Sequence, residues 1–259
     1  MVEHIHGKDG VPSSILGLGS RTMAKTKLFI FDLDDTLIAT NSIFKRKMHE
    51  ASSLLSTKLN EPESSIFSQI EQGLSNARPT QKVNPIKLWA HALDSLQNSF
   101  PKISFDDRKR MENLLFQIYK EVPDVFEGAF ELLQKIKEEK IQTAILSHAE
   151  TEWTHFKLKS TGLSKYFDSV HTANVDQEKT SANWQSVVDN SGFSNNECAV
   201  IGDNITGDII SASKIGIKKL VWFDNKDNWS VHRHGDLPEG TIIVKDLKEV
   251  TSLLDCGQL

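Results

Sequence analysis

An α/β fold, with a doubly wound and mostly parallel sheet and an inserted block of helices, is what the sequence predicts. Three observations carry that expectation. Short apolar runs recur along the 259 residues; they are continuous rather than alternating, as strands buried on both faces require. Amphipathic helical patterns separate them, which gives βαβ units. From about residue 39 to about residue 122 the strands stop and only helical patterns follow one another.

The elements follow in chain order. Residues 1–26 have no clear period and many Gly and Ser, so a tail or tag is expected there. The basic start and long apolar middle of a secretory signal are missing. His4 and His6 could pair on a metal, although a plain tail fits them as well, and Met23 offers an alternative start. The run KLFIF (Lys27 to Phe31) is the first strand. In the helical block, SIFKRKMHEASSLL puts Phe44, Met48, Ala51 and Leu55 on one face, and PESSIFSQIEQGL suggests a second helix. A third opens with Asn84 as cap and Pro85 in the first turn, then buries Ile86, Trp89, Ala90 and Leu93. A fourth has Ser104 as cap and an inner face of Met111, Leu114, Leu115 and Ile118. After residue 122 the βα rhythm returns. Ala129, Leu132, Leu133 and Ile136 make a helical stripe. QTAILS, CAVIGD and KLVWF are strands, with YFDSVHTA and TIIV weaker candidates. Ile205, Ile209, Ala212 and Ile215 keep helical spacing, and Gly216 can close that helix. The expected division is an α/β core of residues 27–38 and 123–259 and a helical insert of residues 39–122.

Composition narrows the function. The net charge is −5 and no dense basic run occurs, which disfavours nucleic acid as a partner. No apolar stretch approaches a membrane span. The two cysteines, Cys198 and Cys256, are too few for a disulfide framework, and Cys198 sits in an apolar run as a buried thiol. An intracellular, cytoplasmic protein is expected. The motif GxxxxGK[ST] is absent, which disfavours nucleotide-triphosphate motors.

The chemistry gathers at strand ends. Asp32 and Asp34 follow the first strand; Asp203 ends CAVIGD and Asp208 stands in the next turn. Ligands of open α/β sheets sit in the crevice outside the carboxyl ends of the strands. Two carboxylate clusters there would repel each other unless a cation bridged them. Oxygen donors without a Cys/His grouping suit Mg²⁺. Ser147, at the end of QTAILS, adds a hydroxyl. Free backbone N–H groups after it and after Asp32 could cradle an oxyanion. Lys179 could add a positive charge.

DLDDT (Asp32 to Thr36), ILSHAE with Ser147, Lys179, and IGDNITGD with Asp203 and Asp208 resemble the four ordered motifs of the haloacid dehalogenase superfamily. The resemblance runs from Lys27 to about Leu254, and the helical insert is similar to that family's cap, as in its phosphoglycolate-phosphatase-like group. It implies a Mg²⁺-dependent phosphatase of a small phosphorylated metabolite. Asp32 would be the nucleophile, forming an aspartyl-phosphate, and Asp34 the acid and base. Asp32, Asp34 through its backbone carbonyl, Asp203 and Asp208 would hold the metal. Ser147, His148 and Lys179 would meet the phosphate. Dehalogenases of the family lack an acid at the Asp34 position, so Asp34 points to phosphate esters.

The chain departs from the family pattern at two places: Lys179 is followed by TSANW rather than Pro-x-Pro, and His148 stands where many relatives have Asn. A solvated loop lysine and an ordinary loop histidine are the plainer alternatives. Asp35 should point away from its neighbours, toward a helix start or solvent. His232 and His234 are expected at the surface, Lys45 to Lys47 on a solvated helix face, and Trp89 in the helical core. A phosphomutase, or a binding protein that keeps the fold without turnover, remain the alternative functions.

Overall fold

The structure is a computed structural model that describes residues 24–226 and 229–259; His4, His6 and Met23 lie outside them. Six parallel strands form one sheet in the order β3-β2-β1-β4-β5-β6. They are β1 (Leu28–Phe31), β2 (Gln142–Ser147), β3 (Ser169–Thr172), β4 (Cys198–Gly202), β5 (Lys219–Phe223) and β6 (Ile242–Val244). The continuous apolar runs have their reason in the two faces. Phe29, Phe31, Ile145, Ala199, Ile201 and Val221 point to one side, where α5 (Ala129–Glu138) and α9 (Leu247–Asp255) cover them. Leu28, Ile30, Ala144, Leu146 and Val200 point to the other, against Trp184, Val187 and Val188 of α7 (Ser181–Ser191). Ile209 and Ala212 close that second face. They belong to a π-helical stretch (Ile205–Ile210) that runs into α8 (Ser211–Ser213), and Gly216 ends the segment at φ 89°. Cys198 is a buried free thiol and Cys256 an exposed one.

The order of the strands reverses between β1 and β4, which is where a doubly wound sheet leaves a crevice. Phe31 is level with Ile145 of β2 and Ile201 of β4, so the three strands end side by side. The Asp32 N–H donates to Ile201 O at 2.9 Å and carries the alignment one residue further.

Between β1 and α5 lie α1 (Thr40–Leu59), α2 (Glu63–Gln81), α3 (Pro85–Ser99) and α4 (Phe105–Leu115). They share a core of their own, built from Met48, Leu55, Ile66, Ile70, Trp89 and Leu115 among others. Asn84 caps α3, accepting from Lys87 N at 3.1 Å, and Ser104 and Asp107 form a reciprocal capping box on α4. The face of α3 differs from the expected one. Ile86 is 68% exposed and Ala90 is exposed, while Leu88, Ala92 and Leu96 are buried beside Trp89 and Leu93. The stripe is wider than the four residues first picked, and α2, which packs closely on α3, selects its leucine side. The solvated face expected at Lys45 to Lys47 holds for Arg46, which is exposed, and is corrected at Lys47, which is buried and pairs with Glu50 at 2.8 Å and Glu121 at 3.0 Å; Arg46 pairs with both as well. No helix among the described residues is long and apolar enough to cross a membrane.

Candidate active site

The strand ends bring the predicted acids together. Carboxylate oxygens of Asp32, Asp203 and Asp208 lie within 4.8 Å of one another, and all three residues are buried. Asp208 reaches the group from the turn after β4, and Gly202 makes room for it: a Cβ there would meet Asp208 Oδ2 at 2.3 Å. Asn204 holds the turn, its N–H donating to Asp208 Oδ2 at 3.0 Å and its Oδ1 accepting from Thr206 and Gly207 N–H. Lys179 stands between the acids. Its ammonium is 2.6 Å from Asp32 Oδ1 and 2.6 Å from Asp208 Oδ1, and it donates to Leu146 O at 3.1 Å. Lys179, expected to add positive charge beside Asp32, is thus buried inside the site, and the alternative of a solvated loop lysine does not hold.

Electrostatics explain what such a site asks for. Burial raises the Asp32 carboxyl to about 7, against the opposing pull of Lys179. Burial and neighbouring carboxylates push Asp203 well above the usual range, and burial raises Asp208. Lys179 is raised, because the attraction of Asp208 and Asp32 outweighs its burial. Three buried carboxylates crowd round this one ammonium, and the buried Asp35 adds its charge beside Asp203, so a divalent cation is the natural complement.

Asp34 stands apart from that trio. Its carboxylate accepts from Thr40 Oγ1 at 2.5 Å and Ser147 Oγ at 3.3 Å, and Lys157 Nζ lies 2.5 and 2.6 Å from its two oxygens. Lys157 projects from α6 (Thr151–Ser160), is fully buried, and sits 3.6 Å over the Trp153 ring. Asp35 is not at the surface. It adopts φ 60°, which Asp tolerates better than most residues, and its carboxylate accepts from Asn41 N at 2.7 Å in the first turn of α1. His148 donates from Nε2 to Gln177 O at 2.8 Å, tying the turn after β2 to the loop that carries Lys179. Burial, with Lys179 nearby, lowers it to about 4, so it is neutral at pH 7.

His232 departs from expectation. Its Nδ1 lies 2.7 Å from Asp203 Oδ2 and its Nε2 lies 3.4 Å from an Arg78 nitrogen. A carboxylate accepts and a guanidinium donates, so Nδ1 carries the proton and Nε2 accepts. Burial and Arg78 lower His232 to about 4. Its neighbour His234 is exposed, as expected. Lys157, Arg78, Trp153 and Trp229 were not picked out from sequence. One signal existed for Lys157: Thr154, Lys157 and Leu158 recur at i, i+3 and i+4 on the inward face of α6. For His232, which sits between sheet strands in a loop, there was none.

Asp32, Asp34, Asp203, His148, Lys179 and Arg78 line one cavity of about 130 Å³, with Asp208 buried behind it. Comparisons with known proteins bear on the fold and the family. Rat N-acylneuraminate-9-phosphatase is 23% identical over 245 residues, covering 90% of this chain and 97% of the relative. A haloacid dehalogenase-like family hydrolase of Xanthomonas campestris superposes with a TM-score of 0.72 at 15% identity, covering 90% and 96% of the two chains. A HAD hydrolase of Bacillus subtilis, solved bound to magnesium, gives a TM-score of 0.65 at 19% identity, covering 90% and 100%. The family model of haloacid dehalogenase-like hydrolases matches residues 26–216, from the start of β1 through the turn that carries Asp208. With the fold and the ordered motifs in agreement over most of its length, the chain belongs to the haloacid dehalogenase-like hydrolases.

Proposed function

We propose that this hydrolase is a Mg²⁺-dependent phosphatase of a small phosphorylated metabolite, working through an aspartyl-phosphate on Asp32. One observation carries the proposal: two carboxylates only two residues apart occupy different environments. Asp32 faces the acidic trio and Lys179, while Asp34 faces Lys157, Thr40 and Ser147. Displacement at phosphorus needs a nucleophile and a separate proton donor for the departing alcohol oxygen. Release of a halide would need no such donor. The phosphatase name of the rat relative agrees.

The donor set fits a hard divalent ion: oxygen only, no thiol, three buried carboxylates within 4.8 Å. Asp32, Asp203 and Asp208 would hold Mg²⁺, with the backbone carbonyl of Asp34 as the further donor the family resemblance implies. Bound there, the ion supplies positive charge to the phosphoryl oxygens. The remaining roles fall to the chain. An Asp32 oxygen attacks phosphorus, the bond from phosphorus to the alcohol oxygen breaks, and that oxygen takes a proton from the Asp34–Lys157 pair. Water then attacks the aspartyl-phosphate, the bond from phosphorus to Asp32 breaks, and the pair takes the proton back. Ser147 and Lys179 hold phosphate oxygens. His148 lines the same cavity and keeps the Lys179 loop in place. Residues 39–122 act as a cap over a core of residues 27–38 and 123–259, closing to exclude water.

Hydrolysis of 4-nitrophenyl phosphate tests this. Turnover in Mg²⁺ should disappear with EDTA, and in Asp32→Asn with an unchanged circular dichroism spectrum. Full activity in EDTA would rule out the metal, and a wild-type rate in folded Asp32→Asn would rule out the covalent route.

A further inference from the structure

Away from the carboxylates the cavity changes character. Its walls there are Phe44 of α1, Trp89 of α3, Tyr119, Trp153 of α6 and Trp229. These rings form one connected group that joins the helical insert to the α/β core. Phe44 stacks on Trp89 at 5.9 Å and meets Trp229 edge-on at 5.8 Å, and Tyr119 meets Trp153 edge-on at 4.7 Å. Aliphatic side chains, Leu74 and Leu88 among them, fill the gaps.

Polar groups at this end are few and all can donate. Tyr119 Oη accepts from Trp89 Nε1 at 3.0 Å, which leaves its own proton free to donate. The Trp153 indole N–H is buried and has no partner among the described residues. Arg78 lies with its guanidinium carbon 4.8 Å over the Trp229 ring and donates to His232. Among the described residues no carboxylate stands within ion-pairing distance of it. Burial lowers the Arg78 guanidinium against the distant pull of Asp203 and Asp35. The other polar lining groups belong to the carboxylate end: Thr40 is bonded to Asp34, and Asn204 Oδ1 is spent on its own turn. Glu150, which can only accept, is exposed at the start of α6.

We propose that the alcohol part of the substrate is a flat, largely apolar ring that carries a carboxylate for Arg78. The proposal rests on the phosphatase reading of the same site. A polyhydroxylated sugar would bring several hydroxyls against rings and aliphatic side chains whose one hydroxyl, that of Tyr119, already accepts from Trp89, and each buried hydroxyl left unpaired weakens binding. A ring offers its faces to the aromatic walls instead. A carboxylate on that ring supplies what the unpaired guanidinium lacks, and a planar fork binds it through two oxygens. The free donor of Tyr119 fits an acceptor substituent on the same ring. The cavity, about 130 Å³, suits one substituted ring beside the phosphate.

Esters of primary alcohols test this with leaving groups held alike: ethyl phosphate, glucose 6-phosphate, benzyl phosphate and 4-carboxybenzyl phosphate, each with the full chain in Mg²⁺. The expected order of kcat/KM is benzyl above glucose 6-phosphate by about tenfold or more, and 4-carboxybenzyl above benzyl by a similar factor. In Arg78→Met the second ratio should fall to near one, and in Arg78→Lys it should recover in part. Glucose 6-phosphate equal to or better than benzyl phosphate would overturn the ring. A carboxylate advantage that is absent, or that survives in Arg78→Met, would overturn the role of Arg78. Binding separates this inference from the activity. The non-hydrolysable 4-carboxybenzylphosphonate, followed by tryptophan fluorescence because three tryptophans line the cavity, should bind about tenfold or more tighter than methylphosphonate. That result without hydrolysis of any ester would remove the phosphatase reading and leave the pocket assignment standing. Equal affinities for the two phosphonates would remove the pocket assignment whatever the enzyme hydrolyses.

Discussion

Lys157 shows how one buried side chain can set the chemistry of its neighbour. An ammonium without solvent is tolerable only when paired, and here its partner is Asp34, at 2.5 Å. The pair holds one transferable proton beside the cavity. Lys157→Met keeps most of the volume and removes that proton. Alkyl phosphates, whose leaving oxygen needs protonation, should then slow by about 10²–10⁴-fold. The transfer step from 4-nitrophenyl phosphate, which expels a stable phenoxide, should slow much less. Single-turnover rates on both substrates decide it, and equal slowing would make Lys157 a packing residue only.

Helix packing and helix capping carry two further expectations. Where α2 meets α3, a Cβ on Gly73 would lie 2.9 Å from Ala92 Cα. Helix propensity alone favours alanine by about 1 kcal/mol. Overpacking against a helix backbone costs about 1–3 kcal/mol, and a backbone atom gives way less readily than a side chain. Gly73→Ala should therefore lower the urea midpoint with the slope unchanged; a higher midpoint would mean that α2 and α3 can separate at little cost. At the start of α4, hydrogen bonds from Lys58 and Ser104 hold the Asp107 carboxyl down at about 2. A depressed carboxyl stabilises the fold at pH values above its unfolded pKa, near 4, and that contribution is lost as pH falls through 2. Asp107→Asn should destabilise the protein near pH 7 by about 0.5–1 kcal/mol, since Lys58 is half exposed. The gap in melting temperature between the two proteins should close between pH 4 and pH 2. A gap that stays constant over that range would assign the effect to cap geometry and not to charge.

For the whole molecule, the two crossings between sheet and helical insert are the places to look for motion. Ala39 N–H donates to Asp124 O at 2.8 Å and Phe126 N–H to Leu37 O at 3.0 Å, so the outgoing and returning segments pair with each other. The Ile38–Val125 bridge between them is an isolated one, outside the six-stranded sheet. If residues 39–122 are a cap, the Ala39 and Phe126 amides should exchange faster than those of Ile30 and Val200. Orthovanadate with Mg²⁺, a mimic of the transferring phosphoryl group, should slow them. Protection equal to that of the sheet, and unchanged by vanadate, would argue for a rigid body.

The sequence by itself determined the sheet, the helical insert and the ordered acids. Those features are local: KLFIF must be buried on both faces wherever it sits, and Asp32 and Asp203 end strands that register places side by side. Helix caps at Asn84 and Ser104 were legible for the same reason, because the capping bonds span three residues. Only the tertiary structure decided which polar residues complete the site. Lys157 meets Asp34 across 123 positions, and His232 meets Asp203 from a loop 29 positions on. Neither meeting leaves a period or a spacing in the chain. Burial is also a property of the assembled molecule, so Lys47 reads as a solvated helix lysine, and Lys157 does not stand out, until the packing around them is known. The aromatic end of the cavity belongs to the same class. Phe44, Trp89, Tyr119, Trp153 and Trp229 come from five separate segments, and only the docking of the insert on the sheet makes them one wall.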